Sequence, residues 1–330
     1  MLNTVRDILK PANNKVILDM TFGSGGHSLN LLKQAPEMRI IAADRDSLAN
    51  SIALDCNNYM SNILPIKSKF SQLKYKLIAN GVLPSSLDGV LIDCGVSSMQ
   101  LDDAERGFSF IRDGPLNMSM DNPRKDKNEQ IKGKKNASFV VNHLNEKTLS
   151  KIIRKYGEER HAKLIAKRIV ENRLINSTLE LADVISSAIP RGYGSRKELS
   201  IHPATRTFQA IRIYVNDELN ELNSAIECAH LFLNEGCPCV AISFHSLEDR
   251  IVKRHFHSID FNMKNNLSAR QQMILSAGKA YTHSMKDIKN SVRKGWKPLS
   301  RKIFNPDMQE ILANPRSRSA KLRAATKELL

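Results

Sequence analysis

Three aspartates that close apolar runs, and a glycine turn after the first of them, carry the strongest chemical signal in this sequence. Asp19 closes Val16-Ile-Leu18 and is followed by Thr21-Phe-Gly23-Ser-Gly25-Gly26-His27. Asp44 closes Arg39-Ile-Ile-Ala-Ala43, and Asp93 closes the run that starts at Leu87. A short apolar run, a carboxylate, glycines and then a helical pattern (Leu29, Leu31, Leu32) predict strand, turn and helix. That is the opening of a nucleotide-binding α/β domain, with the turn at the carboxyl end of the first strand. Glycine lets the backbone turn tightly and a ligand approach closely. Asp44, 25 residues after Asp19, stands where such folds place the acceptor for ribose hydroxyls. The turn lacks the G-x-G-x-x-G spacing that would cradle a pyrophosphate. Acceptors for a ribose and an ammonium group, without a pyrophosphate site, fit S-adenosylmethionine. On this stretch alone, an ordinary glycine-rich βα turn is the competing reading.

The elements that must position these groups can be read in order. Met1–Lys10 has the spacing of a short amphipathic helix. Asn62–Lys67 is a weak third strand leading to Phe70, a candidate to pack on adenine or simply in the core. The fourth strand, Leu87–Asp93, runs into the small-residue loop Cys94–Gln100 at the edge where ligands bind in such sheets. From Ser138 to Pro190 the periodicity is helical only: Asn145 caps a helix that Gly157 ends, and Ser177-x-x-Glu180 opens another. Pro203 starts one long helical pattern that Gly236 ends, and Cys239–His245 is a fifth strand. Trp296–Ile303 and Ser319–Ala325 suit an antiparallel pair closing the sheet. The expected fold class is a Rossmann-like α/β sheet with an inserted all-helical domain. Its expected parts are a first half at 1–104, a helical substrate-recognition insert at 105–202 and a second half at 203–330. Asn122–Asn136 and Asn262–Lys294 read as polar, Lys-rich or basic irregular stretches.

Composition narrows the partners. The net charge is +16, and after residue 240 there are 18 Lys/Arg against 7 Asp/Glu. A basic excess concentrated in one part of an enzyme predicts a polyanion such as nucleic acid. No apolar run approaches the roughly 20 residues that span a bilayer, no signal-peptide pattern opens the sequence, and no membrane partner is expected. The five cysteines (Cys56, Cys94, Cys228, Cys237, Cys239) are odd in number and lack C-x-x-C spacing. Free thiols in a reducing compartment, and no metal, are therefore expected. The oligomeric state is left open, a homodimer included.

Taken together, the blocks resemble the small-subunit rRNA cytosine-N4 methyltransferase family, the bacterial RsmH (MraW) enzymes and their mitochondrial relatives. The matching runs include Asp19-Met-Thr-Phe-Gly-Ser-Gly-Gly-His27, Asp93-Cys-Gly-Val-Ser-Ser-Met-Gln-Leu-Asp102 and Glu105-Arg-Gly-Phe-Ser-Phe110. Tyr156-Gly-Glu-Glu-Arg160, His202–Arg212, Ser243–Arg250 and Asn314–Arg323 match in the same order. The resemblance implies a class I methyltransferase with S-adenosyl-L-methionine contacts at Gly25, Gly26, His27, Asp44, Phe70, Asp93 and Gln100. Asp19 and Gly23 join them from the reading of the turn. The implied substrate is a cytosine in the decoding region of small-subunit rRNA, on the RNA or on the small ribosomal subunit. Arg206, Arg212, Arg250, Lys253, Arg316, Arg318 and Lys321, a clustered charge at the matched motifs, are the candidates for its phosphates. Asp93 and His245 are the candidate groups at the reacting amine. Asp93 has the alternative of binding the methionine end of the cofactor, and His245 that of a structural histidine.

Two departures matter. Family members carry a His-x-Pro-Val segment before the first helix, so Met1 is expected to be an internal methionine of a longer protein, with any transit peptide missing. Asn117-Met-Ser-Met-Asp121 stands where Asp-Met-Arg-Met-Asp is expected. Ser98-Met99-Gln100 and the run from Asn266 to Gln272 resemble the animal mitochondrial branch. That branch implies the mitochondrial matrix, with a bacterial cytoplasm as the alternative.

Overall fold

The computed structural model describes residues 1–121, 136–189, 202–257 and 295–328. Most of the polar run at 122–136, the basic stretch before residue 295, and within it the run from Asn266 to Gln272, lie outside the described residues. Five parallel strands, β1 (Val16–Asp19), β2 (Arg39–Asp44), β3 (Ile63–Lys67), β4 (Gly89–Asp93) and β5 (Pro238–Ser243), are followed by β6 (Trp296–Pro298) and β7 (Lys321–Lys327). Helices α1 (Leu2–Leu9), α2 (Gly26–Leu32), α3 (Ser47–Tyr59) and α4 (Phe70–Ala79) alternate with the first four strands. Next come α5 (Ser98–Asp102), α6 (Ala137–His143), α7 (Glu146–Gly157), α8 (Ala162–Glu171), α9 (Thr178–Ala188) and α10 (Thr205–Asn216). α11 (Glu218–Phe232) and α12 (Ser246–Phe256) flank β5, and α13 (Met308–Ala313) precedes β7. No helix of the described residues is long and apolar enough to cross a membrane.

The chain divides into two compact units. The first comprises Met1–Arg45, Ala49–Gly95 and Glu221–Leu330 and holds the sheet, in the order β3-β2-β1-β4-β5-β7-β6. The first five of these strands are parallel, and β7 runs antiparallel to both β5 and β6. Strand alternation explains why the runs are apolar throughout. Ile41, Ala43, Val90, Ile92, Cys239 and Ala241 face one core, while Ile40, Ala42, Leu91, Val240 and Ile242 face another. A parallel sheet covered on both faces needs apolar residues at every position. The sheet is the expected Rossmann-like α/β fold; in the antiparallel pair at its end, β6 stops at Pro298 and not at Ile303, and β7 is shifted two residues from the expected Ser319–Ala325.

The second unit comprises Asp46–Leu48 and Val96–Asn220 and is helical. Its core gathers Leu149, Ile152 and Ile153 of α7, Ile165 and Ile169 of α8, Leu181 and Ile185 of α9, and Phe208 and Ile211 of α10. This unit is wider than the 105–202 insert expected from the sequence, because α10 gives its apolar face to this core and Val96 and Leu101 pack there too. The one long helix expected from Pro203 to Gly236 is two helices. Asp217 takes a left-handed conformation (φ +52°) between α10 and α11. Asn216 is held there by bonds to Met118 O (2.8 Å) and from Met120 N (2.8 Å), and Arg212 grips Glu218 across the break. Periodicity missed the break because the apolar stripe is continuous while its halves serve two cores. Phe208 and Ile211 belong to the helical unit, and Leu222, Ile226 and Ala229 to the sheet.

Candidate functional site

β2, β1 and β4 are neighbours, so their carboxyl ends lie side by side at the strand spacing of about 4.8 Å. Asp19 is registered against Ala42 of β2 and Leu91 of β4, so Asp44 and Asp93 each extend two residues past it. The three aspartates therefore form one edge with Asp19 set back between the others, and their environments differ accordingly.

Asp19 is 2% exposed, accepts from Thr21 N (3.0 Å) through Oδ1 and from Ser28 Oγ (2.7 Å) through Oδ2. Burial pushes its pKa up, with Ser28, His27 and Thr21 opposing the shift. Its oxygens are engaged within the protein, where they fasten the end of β1 to the first turn of α2. Asp44 is half-buried, and its Oδ2 accepts from Gly23 N (2.9 Å), which ties the glycine loop to β2. Gly25 is the N-cap of α2 with φ +83°, and a Cβ there would lie 2.9 Å from Phe22 Cζ and 3.2 Å from Leu29. Its requirement is backbone conformation and close internal packing. Gly26 is different: nothing lies within 4 Å of where its Cβ would be. That side of the loop is open.

Asp93 N donates to Thr21 Oγ1 (2.8 Å), and Asp93 Oδ2 lies 3.7 Å from His27 Nε2, the side chains being 31% and 18% exposed. Asp93 Oδ1 and His27 Nδ1 are buried atoms with no hydrogen-bond partner among the described residues. Orphaned buried polar atoms are costly, typically about 1–3 kcal/mol each, and few occur in native proteins. Two of them lie together at this one strand-end loop. Phe70 is the first residue of α4, half-buried against the sheet core.

The remaining candidates fall elsewhere. Gln100 belongs to the second unit and is buried. Its Oε1 accepts from Ser97 N (3.0 Å), and its Nε2 donates to Asp46 Oδ2 (2.9 Å), so its amide is already engaged in the capping box of α5. Asp46 Oδ2 also receives Arg106 Nη1 (2.8 Å), and Arg106 Nη2 donates to Ser119 O and Met120 O. Both charged residues are buried. This pair was not anticipated from the sequence. Its members are separated by 60 positions, and the only available signal was a charged residue inside the otherwise apolar Arg106-Gly-Phe-Ser-Phe110.

His245 is a helix cap in this structure. Its Nδ1 accepts from Glu248 N (3.4 Å), Glu248 Oε2 accepts from Phe244 N (2.8 Å), and the imidazole is buried. That use, at the start of α12, engages Nδ1, while Nε2 is a buried atom with no hydrogen-bond partner among the described residues. Arg212 makes a two-pronged pair with Glu218 at 2.8 Å and 2.8 Å across the helix break. Arg206 is exposed and lies 3.8 Å from buried Glu159. Arg250, Lys253, Arg316 and Arg318 are exposed and Lys321 half-buried, the last three on the segment leading into β7. Cys228 is buried, its thiol pushed up to about 12, and Cys239 is pushed higher still.

Comparison with known proteins adds to this geometry. The family model of the MraW methylase family matches residues 1–328. The 12S rRNA N(4)-cytidine methyltransferase METTL15 of Bos taurus is 44% identical over 340 residues, covering 99% of this chain and 81% of that protein. Its Homo sapiens counterpart is 43% identical over 338 residues, with the same coverage. The ribosomal RNA small subunit methyltransferase H of Wolbachia sp. subsp. Drosophila simulans (strain wRi) is 40% identical over 328 residues, covering 98% of this chain and 96% of that protein.

Proposed function

Because the chain belongs to the MraW methylase family, we propose that it transfers a methyl group from S-adenosyl-L-methionine to N4 of a cytosine in small-subunit rRNA. The carrying observation is the strand-end edge, where Asp44 and Asp93 flank a glycine loop and two buried polar atoms lack partners among the described residues. These residues fit the cofactor. Asp44, half-exposed at the end of β2, is the acceptor for ribose hydroxyls. Asp93 is the acceptor for its ammonium group, His27 lies beside it, Gly26 leaves room on the open side of the loop, and Phe70 is the aromatic for the adenine. Asp19 and Gly25 act through the loop they shape.

When bound, the cofactor supplies an electrophilic methyl group on a sulfonium. Cytosine N4 is a poor nucleophile because its lone pair is delocalised into the ring. The protein's part is to align that amine and to accept a hydrogen bond from it, so positioning and a fixed acceptor supply most of the acceleration. Asp93 is the carboxylate at this edge with an unpartnered oxygen, which gives it a second reading as that acceptor. Arg206, Arg212, Arg250, Lys253, Arg316, Arg318 and Lys321 are the candidates for RNA phosphates, Arg212 being also paired with Glu218. A paired cytosine keeps its amine bonded and stacked, so the target must be looped or flipped out. The 12S rRNA in the mammalian relatives' names supports a mitochondrial matrix enzyme. The bacterial relative keeps a bacterial cytoplasm as the alternative.

The test is incubation of a small-subunit decoding-region fragment with methyl-labelled cofactor. Label is expected in N4-methylcytidine, and enclosing the target in a perfect duplex should suppress it. Label in 5-methylcytidine would overturn the reading.

A further inference from the structure

The C-terminal part of the chain is not alone in its basic excess, for the helical unit carries a second one. On α7, Leu149, Ile152 and Ile153 are buried in the unit's core, and Lys147, Lys151, Arg154 and Lys155 are exposed on the other side. Lys147, Lys151 and Lys155 recur every four residues, which sets them in a row on one face at about 6 Å per step along the axis. Within α7 only Glu146, at the first position, is acidic. No carboxylate stands four residues from Lys147 or Lys151, and a row of like charges at that spacing destabilises a helix slightly, so an external anion would relieve it.

Two further observations fix the setting. α7 ends where α10 begins: a Cβ on Gly157 would lie 2.5 Å from Arg206 O. The row therefore runs toward Arg206, one of the candidates for RNA phosphates. Of the nearby carboxylates, Glu158 at the C-cap of α7 is exposed, while Glu159 and Glu171 are engaged elsewhere. Glu159 is buried, accepts from His161 N (2.9 Å) and lies 3.8 Å from Arg206, and Glu171 is engaged by Lys167 (3.8 Å) and Arg168 (3.6 Å) of α8.

We propose that the exposed face of α7, with Lys147, Lys151 and Lys155 at its centre, is a track for the sugar-phosphate backbone of the rRNA substrate, continuing the contact made by Arg206. It rests on the proposed rRNA activity and extends it to a surface of the helical unit. Regularly spaced ammonium groups neutralise phosphates without reading bases, so the track contributes affinity and register and no sequence preference. A lipid surface is the other polyanion to consider. Basic helices that lie in a membrane bury their apolar face there, and the apolar face of α7 is already occupied by the core of its own unit.

The experiment compares wild type with Lys147→Gln/Lys151→Gln/Lys155→Gln, glutamine keeping helix propensity. Binding of a small-subunit rRNA fragment is measured from low to moderate salt. The variant should bind roughly tenfold or more weakly, and its log–log salt slope should be shallower by about two to three, since each phosphate no longer neutralised removes roughly 0.7–0.9 from the slope. KM for the RNA should rise, while melting temperature and calorimetric cofactor affinity stay at wild-type values. Lys151→Gln alone should give a smaller change of the same sign, and Lys151→Arg should restore it. An unchanged slope and KM in a folded triple variant overturn the proposal, as does loss of binding to phosphatidylserine vesicles with RNA binding intact. Wild type that leaves rRNA cytosines unmethylated would instead refute the function on which this inference rests, a result distinguishable from the other two.

Discussion

Asp93 and Asp46 show two uses of a carboxylate in one chain. Asp93 ends a strand of the first unit with one oxygen 3.7 Å from His27 and the other unpartnered among the described residues. Asp46, in the second unit, is buried with Gln100 Nε2 at 2.9 Å and Arg106 Nη1 at 2.8 Å on one oxygen. The residue type is the same, and so is the position just beyond or at the end of a β-strand. What differs is whether the protein itself completes the bonding. Where it does, the carboxylate maintains the fold, and where it does not, we propose that the cofactor completes the bonding. Substitutions at the two places should therefore fail differently, one in stability and the other in activity.

The largest effect is expected at the buried ion pair. Arg106→Met takes Arg106 away from buried Asp46, and removing one partner of a buried ion pair costs about 3–5 kcal/mol. Thermal melting should fall by roughly 10 °C. A melting temperature within a degree or two of wild type would break the comparison. Next is Asp93→Asn, which keeps the shape and weakens hydrogen-bond acceptance. Methylation of the rRNA fragment should fall by roughly two orders of magnitude, with melting and RNA binding little changed. Cys94→Ser, one residue on, should remain active, since no ring-carbon chemistry requires a thiol there.

Asp44→Ala follows. Loss of a charge-assisted acceptor should weaken cofactor binding by about 1.5–3 kcal/mol in a calorimetric titration. The glycines sharpen the same distinction. Gly25→Ala imposes a left-handed conformation costing about 1–2 kcal/mol, to be read as lost stability. Gly26→Leu, pointing into open space, should leave melting alone and weaken cofactor binding. If both glycine variants lose stability alone, the loop does not face a ligand.

The smallest effect concerns Asp19, whose folded pKa is raised by burial. The native state then holds this proton more tightly than the unfolded chain does. Its contribution to stability is therefore greatest in acid and is lost as pH rises through the window between the unfolded and folded values. Asp19→Asn removes the titration. Its melting temperature should decline less than that of wild type across that window, and a steeper decline would contradict the burial account.

Much of this was legible in the sequence because it is local. β2 was readable to the residue, since Arg39–Asp44 is an apolar run with a charged residue at each end. Asn145, which accepts from Thr148 N at 2.9 Å, was readable as a cap. The strand-end aspartates could be placed at one edge because a parallel strand order follows from strand–helix alternation. Pairings across long separations could not be read. Asp46 with Arg106, and Asn216 with the backbone of Met118 and Met120, depend on tertiary placement. The partners of Arg212 and of His245 Nδ1 could not be read either, because sequence shows residue types and not their partners. Glu218 lies six residues from Arg212 across a break that periodicity conceals, and His245 bonds to its own helix.

The central claim, that these strand-end carboxylates serve methyl transfer to cytosine N4 in small-subunit rRNA, is tested most directly by nucleoside mass spectrometry. Small-subunit rRNA would be compared from cells lacking this protein and cells complemented with wild type or with Asp93→Asn. The account predicts that N4-methylated cytidine is lost without the protein, returns with wild type and stays absent or much reduced with Asp93→Asn. N4-methylated cytidine at normal levels in the deficient cells, or full recovery by Asp93→Asn, would contradict it.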